Sequence, residues 1–403
     1  MKRHKRIRIL FLIFLQMVWL SGMAAAQAII ADHTTTDITA IPESAINVAR
    51  STLHIAYGHT SHGSQITTGM TGLVEFANGG GKGMTHPDDI FAWNNGGSSG
   101  ALDLHDYAMG GDCGYYPQWV NNTTSYLGPV DGNGRGSTNP DVNVIIWSWC
   151  GQVDSKYAAG TLESEYLDPM ANLEATYPNI IFVYMTGHVD HWDDANNKAA
   201  NQVIRDFCTA NNKVLYDFAD IESHDPDGTY YEFPHDNCDY YASAGSGSPQ
   251  GNWATAWQDS HTEGVDWYNC SSAHSQPLNA NLKAYAAWWL WATLAGWDGS
   301  LAVEMREMRA AARDNGVEVT WSVEPDPECA GFHVWRKRER QTAYERQTNR
   351  LILLEAGCDC RDFACKDYDV LSGATYHYKI EEVLQQERSR FHGPLTVLYT
   401  GDG

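Results

Sequence analysis

Short apolar runs that end in polar, histidine-rich tips recur along the chain as far as residue 297. Leu53 to Gly58 (LHIAYG) is the first, and it hands over to His59-Thr60-Ser61-His62-Gly63. Ser64 to Asn78 then carries Ile66, Met70, Leu73, Val74 and Ala77 at helical spacing, so the pattern predicts a buried strand, a corner holding Ser61, and a helix. Val142 to Trp149, Asn179 to Met185 and Lys213 to Phe218 lack alternation, as strands buried on both faces do. Asp89 to Trp93 reads as a further strand. Helical patterns over Leu162 to Thr176 and Asn196 to Asn211 separate the later runs, and strands alternating with helices predict an α/β fold on a parallel sheet.

Ligands gather at the carboxyl ends of the strands in such sheets. Here those ends hold His59, Ser61 and His62, then Gln152 and Asp154, then His188, Asp190 and His191, then Asp220 and Glu222. Residues 223–273 are rich in Gly, Ser, Asp and Tyr with little periodicity, and a loop of that length usually forms a functional lid or wall. From Pro277 to Trp297 the pattern is helical again, with proline in the first turn where it is tolerated. Beyond 298–300 the texture changes to alternating strands at Val317–Trp321, Gly331–Trp335, Tyr376–Ile380 and Leu395–Leu398, the pattern of a β-sandwich. The division is therefore an α/β domain over 27–297 and an all-β domain over 301–403.

Lys2, Arg3, Lys5, Arg6 and Arg8 precede an apolar run from Ile9 to Leu20 and then Ala24-Ala25-Ala26, which reads as a signal peptide over 1–26. No stretch is long enough for a membrane span, so the mature chain is expected to be secreted, periplasmic or extracellular. Losing the five leader bases takes the net charge from −23 to −28, which argues against nucleic acid as a partner. Nine cysteines in an exported chain favour disulfides within each domain, with one thiol left over among Cys113, Cys150, Cys208, Cys238 and Cys270. Cys358-x-Cys360-x4-Cys365 could instead hold zinc, but its spacing matches no usual ligand pattern.

A serine in a strand-to-helix corner is placed either to cap the helix or to act as a nucleophile. The motif order of strand, Ser61 corner, parallel strands and a histidine shortly before the last helix resembles the SGNH (GDSL-like) hydrolases. Within them the block Gly58-His59-Thr60-Ser61-His62-Gly63 is similar to divergent members with His-x-Ser-x-Gly. The resemblance covers roughly residues 50 to 297 and implies a three-layer, flavodoxin-like α/β fold and ester hydrolysis without a cofactor. Ser61 would be the nucleophile and His274 the base. Asp266 would stand behind His274, with Asp259 or a backbone carbonyl as alternatives. Ser61 N–H, Gln152 and Gly111 (or Gly110) would serve as oxyanion donors.

The chain departs from that family at Ser271, where aspartate is usual, at Thr60 beside the serine, and at Cys150-Gly151-Gln152 in place of a Gly-x-Asn-Asp block. Residues 301–403 resemble a fibronectin type III domain, a spacer or adhesion module. His59, His62, His188 and Asp190 are expected to orient substrate rather than bind metal, since neither histidine pair has ligand spacing on a helix. Gly96-Gly97-Ser98-Ser99-Gly100 and Gly79-Gly80-Gly81-Lys82-Gly83 match motif letters only and read as flexible loops. Trp119, Trp147, Trp149, Trp192, Trp253, Trp257 and Trp267 near the tips suit sugar rings. The expected substrate is thus a small-molecule or glycan ester, and the alternative is a non-catalytic binding protein on a degenerate scaffold.

Overall fold

The computed structural model describes residues 28–401 apart from 246, 298–304, 314, 324–328, 340, 342–343, 354–361 and 385–388. The leader expected over 1–26 and the break at 298–300 lie outside the described residues. The first unit runs β1 (Ile29–Ala31), α1 (Glu43–Thr52), β2 (His54–Gly58), α2 (Ser64–Asn78), β3 (Trp93–Asn94), β4 (Leu102–Met109), α3 (Gln118–Leu127), β5 (Val144–Trp147), α4 (Val153–Ala158), α5 (Asp168–Thr176), β6 (Ile181–Met185), α6 (Asp194–Ala210) and β7 (Val214–Tyr216). It continues with α7 (Phe218–Glu222), the short β8 (Asp239–Tyr240) and β9 (Gly251–Asn252), α8 (Trp253–Ser260) and α9 (Pro277–Leu294). Seven strands form one parallel sheet in the order β1-β7-β6-β5-β2-β4-β3.

Alternate residues of each strand feed two cores. Ile55, Tyr57, Val144, Ile146, Val183 and Met185 pack against α1, α2 and α9. Ala56, Ile145, Trp147, Phe182, Tyr184 and Leu215 pack on the opposite face, against α3, α5 and α6. The apolar runs without alternation are thus strands with helices on both sides.

One expectation about elements is corrected. Asp89 to Trp93 is mainly a turn: Asp89 has φ +59, and Asn78 ties it down by accepting from Asp89 N–H and donating to its carboxylate. Ile90 and Phe91 still reach the core, so their hydrophobicity reports burial and not extension. The strand that pairs with β2 on that side is β4, hidden in the sequence by its interleaved Asp103, His105 and Asp106.

The expected disulfides are also corrected: Cys113, Cys150, Cys208, Cys238, Cys270 and Cys365 are all free thiols. Cys113 and Cys208 lie in one core, Cys238 in the other, and Cys270 packs by α9. Cys358 and Cys360, of the possible zinc cluster, lie outside the described residues.

The second unit is antiparallel. One sheet has the order β10 (Met305–Arg313), β11 (Gly316–Val323), β15 (Asp362–Asp367); the other pairs β13 (Glu345–Arg346), β12 (Cys329–Arg338), β16 (Ala374–Leu384) and β17 (Ser389–Tyr399), with β14 (Ile352–Leu353) also on β12. Val319, Trp321, Phe332, Val334, Tyr376 and Tyr378 from both sheets share one core.

Candidate active site

Two packing facts assemble the site. β2 and β5 are neighbours with Gly58 opposite Trp147, so Ser61 and Cys150, each three residues further on, leave the sheet side by side. Helices α2 and α9, whose first residues follow Ser61 and His274 by three positions, touch where Gly69 meets Ala280. A Cβ on Gly69 would stand 2.1 Å from the Ala280 carbonyl oxygen, so only glycine allows that approach. The corner itself is equally tight, because a Cβ on Gly63 would meet Ser148 Oγ and His59 Cβ at 2.4 Å.

The result is a chain of polar atoms. His274 Nε2 lies 3.0 Å from Ser61 Oγ. Ser61 Oγ is 3.4 Å from Cys150 Sγ, Cys150 Sγ is 3.3 Å from His62 Nδ1, and His62 Nε2 is 3.0 Å from Asp236 Oδ2. Three imidazoles form a stack, with His62 in the middle: its centroid is 4.0 Å from that of His188 and 4.3 Å from that of His274, with interplanar angles of 7° and 10°.

Charge follows from these contacts. Burial alone would depress His62, but its hydrogen bonds to Asp236 and Cys150 outweigh that and push it up to about 9. The hydrogen bond from His62 in turn lowers the Cys150 thiol to about 6, against the opposing effect of burial. His188 is held neutral by burial and by the charge of His62. Its Nδ1 faces its neighbour's carbonyl, Val189 O, at 2.8 Å.

A buried ion pair braces the two loops that carry the outer rings. Lys283 and Glu222 meet at 2.5 Å with side chains essentially sealed from solvent. Glu222 accepts from Val189 N–H at 2.9 Å, next to His188. Lys283 donates to Gln65 Oε1, and Gln65 Nε2 donates to Ala273 O at 2.5 Å, next to His274. His274 itself has φ +64, a left-handed backbone that a non-glycine residue keeps only when its surroundings hold it there.

Of the residues singled out in the sequence, Ser61, His62, His188 and His274 come together. Asp266 does not join them: no hydrogen bond or ion pair links it to His274, and its carboxylate accepts from Thr262 N–H at 2.9 Å. Ser61 is the one hydrogen-bond partner of His274 among the described residues. Gln152 lies beside the site with its Oε1 accepting from Cys150 N–H at 3.3 Å. Gly111, with φ +94 and open space around it, precedes Asp112, which accepts from Thr60 Oγ1 at 3.1 Å and so borders the Ser61 corner.

His59 is buried with both ring nitrogens engaged, Nε2 by Asp106 at 2.7 Å and Nδ1 by Thr60 O at 2.9 Å. Asp190 accepts from Trp192 N–H and faces His235 at 3.5 Å, and His191 stacks on Tyr241. Trp119, Trp147, Trp149 and Trp253 belong to the core, whereas Trp192 is 58% exposed. Cys150 and Asp236 were not singled out. The first reads in the sequence as one of nine cysteines of an exported chain, although it stands as far past its strand as Ser61 does. The second lies in the long aperiodic loop, where no spacing marks it.

Ligand atoms of His62, His188 and Asp236 lie within 4.8 Å of one another, as do those of His33, Asp220 and His224. A bound metal lies in the plane of an imidazole along its nitrogen lone pair. Each pair of rings is nearly parallel, 4.0 Å and 3.6 Å apart, so one ion cannot lie in both planes. These groupings therefore suit stacking and hydrogen bonding.

No protein-family model matches the chain, and no curated protein matches it. Among solved structures, the pectate lyase PelI from Erwinia chrysanthemi in complex with tetragalacturonic acid is similar at 20% identity and a TM-score of 0.18, over 22% of this chain and 27% of that one. An Fn3-like protein from Clostridium thermocellum matches at 13% identity and a TM-score of 0.19, over 25% of this chain and 98% of its own. The FN5 domain of Drosophila Lar matches at 10% identity and 0.18, over 24% and 96%. This chain thus spans about a quarter of the length of the pectate lyase structure. At these scores the likenesses assign neither fold nor function. No helix among the described residues is long and apolar enough to cross a membrane.

Proposed function

We propose that this protein is an exported serine hydrolase of SGNH type that cleaves a carboxylic ester, with an acylated extracellular carbohydrate as its substrate class and a fibronectin type III-like tail as a spacer or attachment module. The observation that carries the reading is the 3.0 Å contact between His274 Nε2 and Ser61 Oγ at the carboxyl end of the sheet. Neutral His274 takes the Ser61 proton as Oγ bonds to the acyl carbon, then returns it to the departing alcohol; water repeats the cycle on the acyl-serine. His274 works without a carboxylate behind it, its ring instead being held by the stack on His62 and by the braced loop. Exposed Trp192 and Tyr107 offer flat faces for a sugar. For the tail, Tyr376 supports the reading: its buried ring sits in the shared core and its hydroxyl accepts from Leu371 N–H at 2.8 Å, the bond that pins a strand corner in such sandwiches.

A fluorophosphonate probe followed by peptide mass spectrometry tests the reading without knowledge of the substrate. The expected adduct is on Ser61, at one per chain. The missing carboxylate behind His274 favours the competing reading, a binding protein on the same scaffold, and a complete absence of labelling would select it.

A further inference from the structure

We infer that Cys150 is a second nucleophile at this site, with His62 as its acid–base partner and Asp236 as the group that orients His62. The geometry is that of a nucleophile, base and orienting carboxylate in series: Sγ to Nδ1 at 3.3 Å, Nε2 to Oδ2 at 3.0 Å. The ring cannot turn away, since it is clamped between His188 and His274. Cys150 is partly exposed, with its sulfur 3.4 Å from Ser61 Oγ, whereas Cys113, Cys208 and Cys238 are buried and have thiols raised by that burial. Reactive thiols sit in partly exposed, electropositive surroundings and structural ones do not.

The chemistry is acyl transfer to sulfur. The Cys150 thiolate attacks the acyl carbon, a C–S bond forms and the bond from that carbon to the leaving oxygen or sulfur breaks. The leaving group departs with the proton from His62 Nδ1. Neutral His62 then takes a proton from water as its oxygen attacks the thioester carbon; the C–S bond breaks, restoring thiolate and imidazolium and releasing the acid. Esters and thioesters both fit this step. The inference does not need Ser61 to be a nucleophile, so it stands or falls separately from the reading above.

Iodoacetamide alkylation of the full chain, read by mass spectrometry at Cys150 as a function of pH, is the first test. The rate should reach half its plateau near pH 6, because the thiol is held at about 6; an ordinary cysteine does so near pH ~8.5. Asp236→Asn and His62→Gln should each move the midpoint up by one pH unit or more.

The second test supplies p-nitrophenyl acetate to Ser61→Ala, and an acetyl group removable by neutral hydroxylamine should appear on Cys150. A midpoint in the ordinary thiol range, or no acetyl on Cys150 in Ser61→Ala, overturns the inference. Fluorophosphonate labelling of Ser61 in Cys150→Ser then shows whether the serine reading survives alone. Urea midpoints equal to wild type would show that Asp236→Asn and Cys150→Ser are folded.

Discussion

Ser61→Ala is expected to lower hydrolysis of a small acetyl ester by roughly a hundredfold to a thousandfold, and His274→Ala by a similar factor. The double variant should be little worse than either single one, because nucleophile and base act as a unit and removing one idles the other. The residue of activity in Ser61→Ala should pass through Cys150 and disappear in Ser61→Ala/Cys150→Ala. That route is the slower one because the Cys150 partner, His62, lies buried in the middle of the stack, while His274 is open to solvent. Initial rates under substrate saturation measure the effect. Additive losses from the two single changes would show that Ser61 and His274 do not cooperate, and the serine mechanism would fail.

The other large effect is on stability. Glu222→Gln leaves the Lys283 ammonium buried against the Phe218 ring, with Nζ 3.4 Å from its centroid, and without its counter-charge. Breaking one side of a buried pair costs about 3–5 kcal/mol, so the urea midpoint of the α/β unit, followed by tryptophan fluorescence, should fall by about the corresponding amount. Burial already holds Lys283 below the usual lysine range despite the opposing pull of Glu222, so the loss should shrink as pH rises and the lone amine gives up its proton. Glu222→Gln/Lys283→Met should recover most of the stability, since neither charge is then buried alone. It should not recover the bond from Lys283 to Gln65, so esterase activity should stay low. An unchanged midpoint in the single variant would mean that the pair does not brace the fold.

The parallel sheet was legible in the sequence because its strands are buried on both faces and therefore read as unbroken apolar runs. β4 was not, because its polar residues at 103, 105 and 106 lend a strand the composition of a loop. Ser61 and His274 were legible from their places before two helices, and the helix contact at Gly69 explains why those places converge. Asp236 and Cys150 could not be ranked by chain position, since what gives them meaning is His62, from a different segment, lying between them. Nearness in sequence points to Asp266, but the turn it closes with Thr262 keeps it within its own loop.

The histidine stack has a consequence for proton traffic. In the proposed serine step, His274 would become a cation 4.3 Å from the His62 ring on receiving the proton of Ser61, and two stacked cations repel. The alkoxide forming on Ser61 likewise repels a thiolate 3.4 Å away. Serine chemistry is therefore easiest when the thiol and His62 have recombined into a neutral pair, and thiol chemistry when they have separated charge. If both proposed nucleophiles act, they are alternating tenants of one strand-tip corner: the proton between Cys150 and His62 would decide which of them is in residence, and a single oxidation at that sulfur would evict one and change the terms for the other.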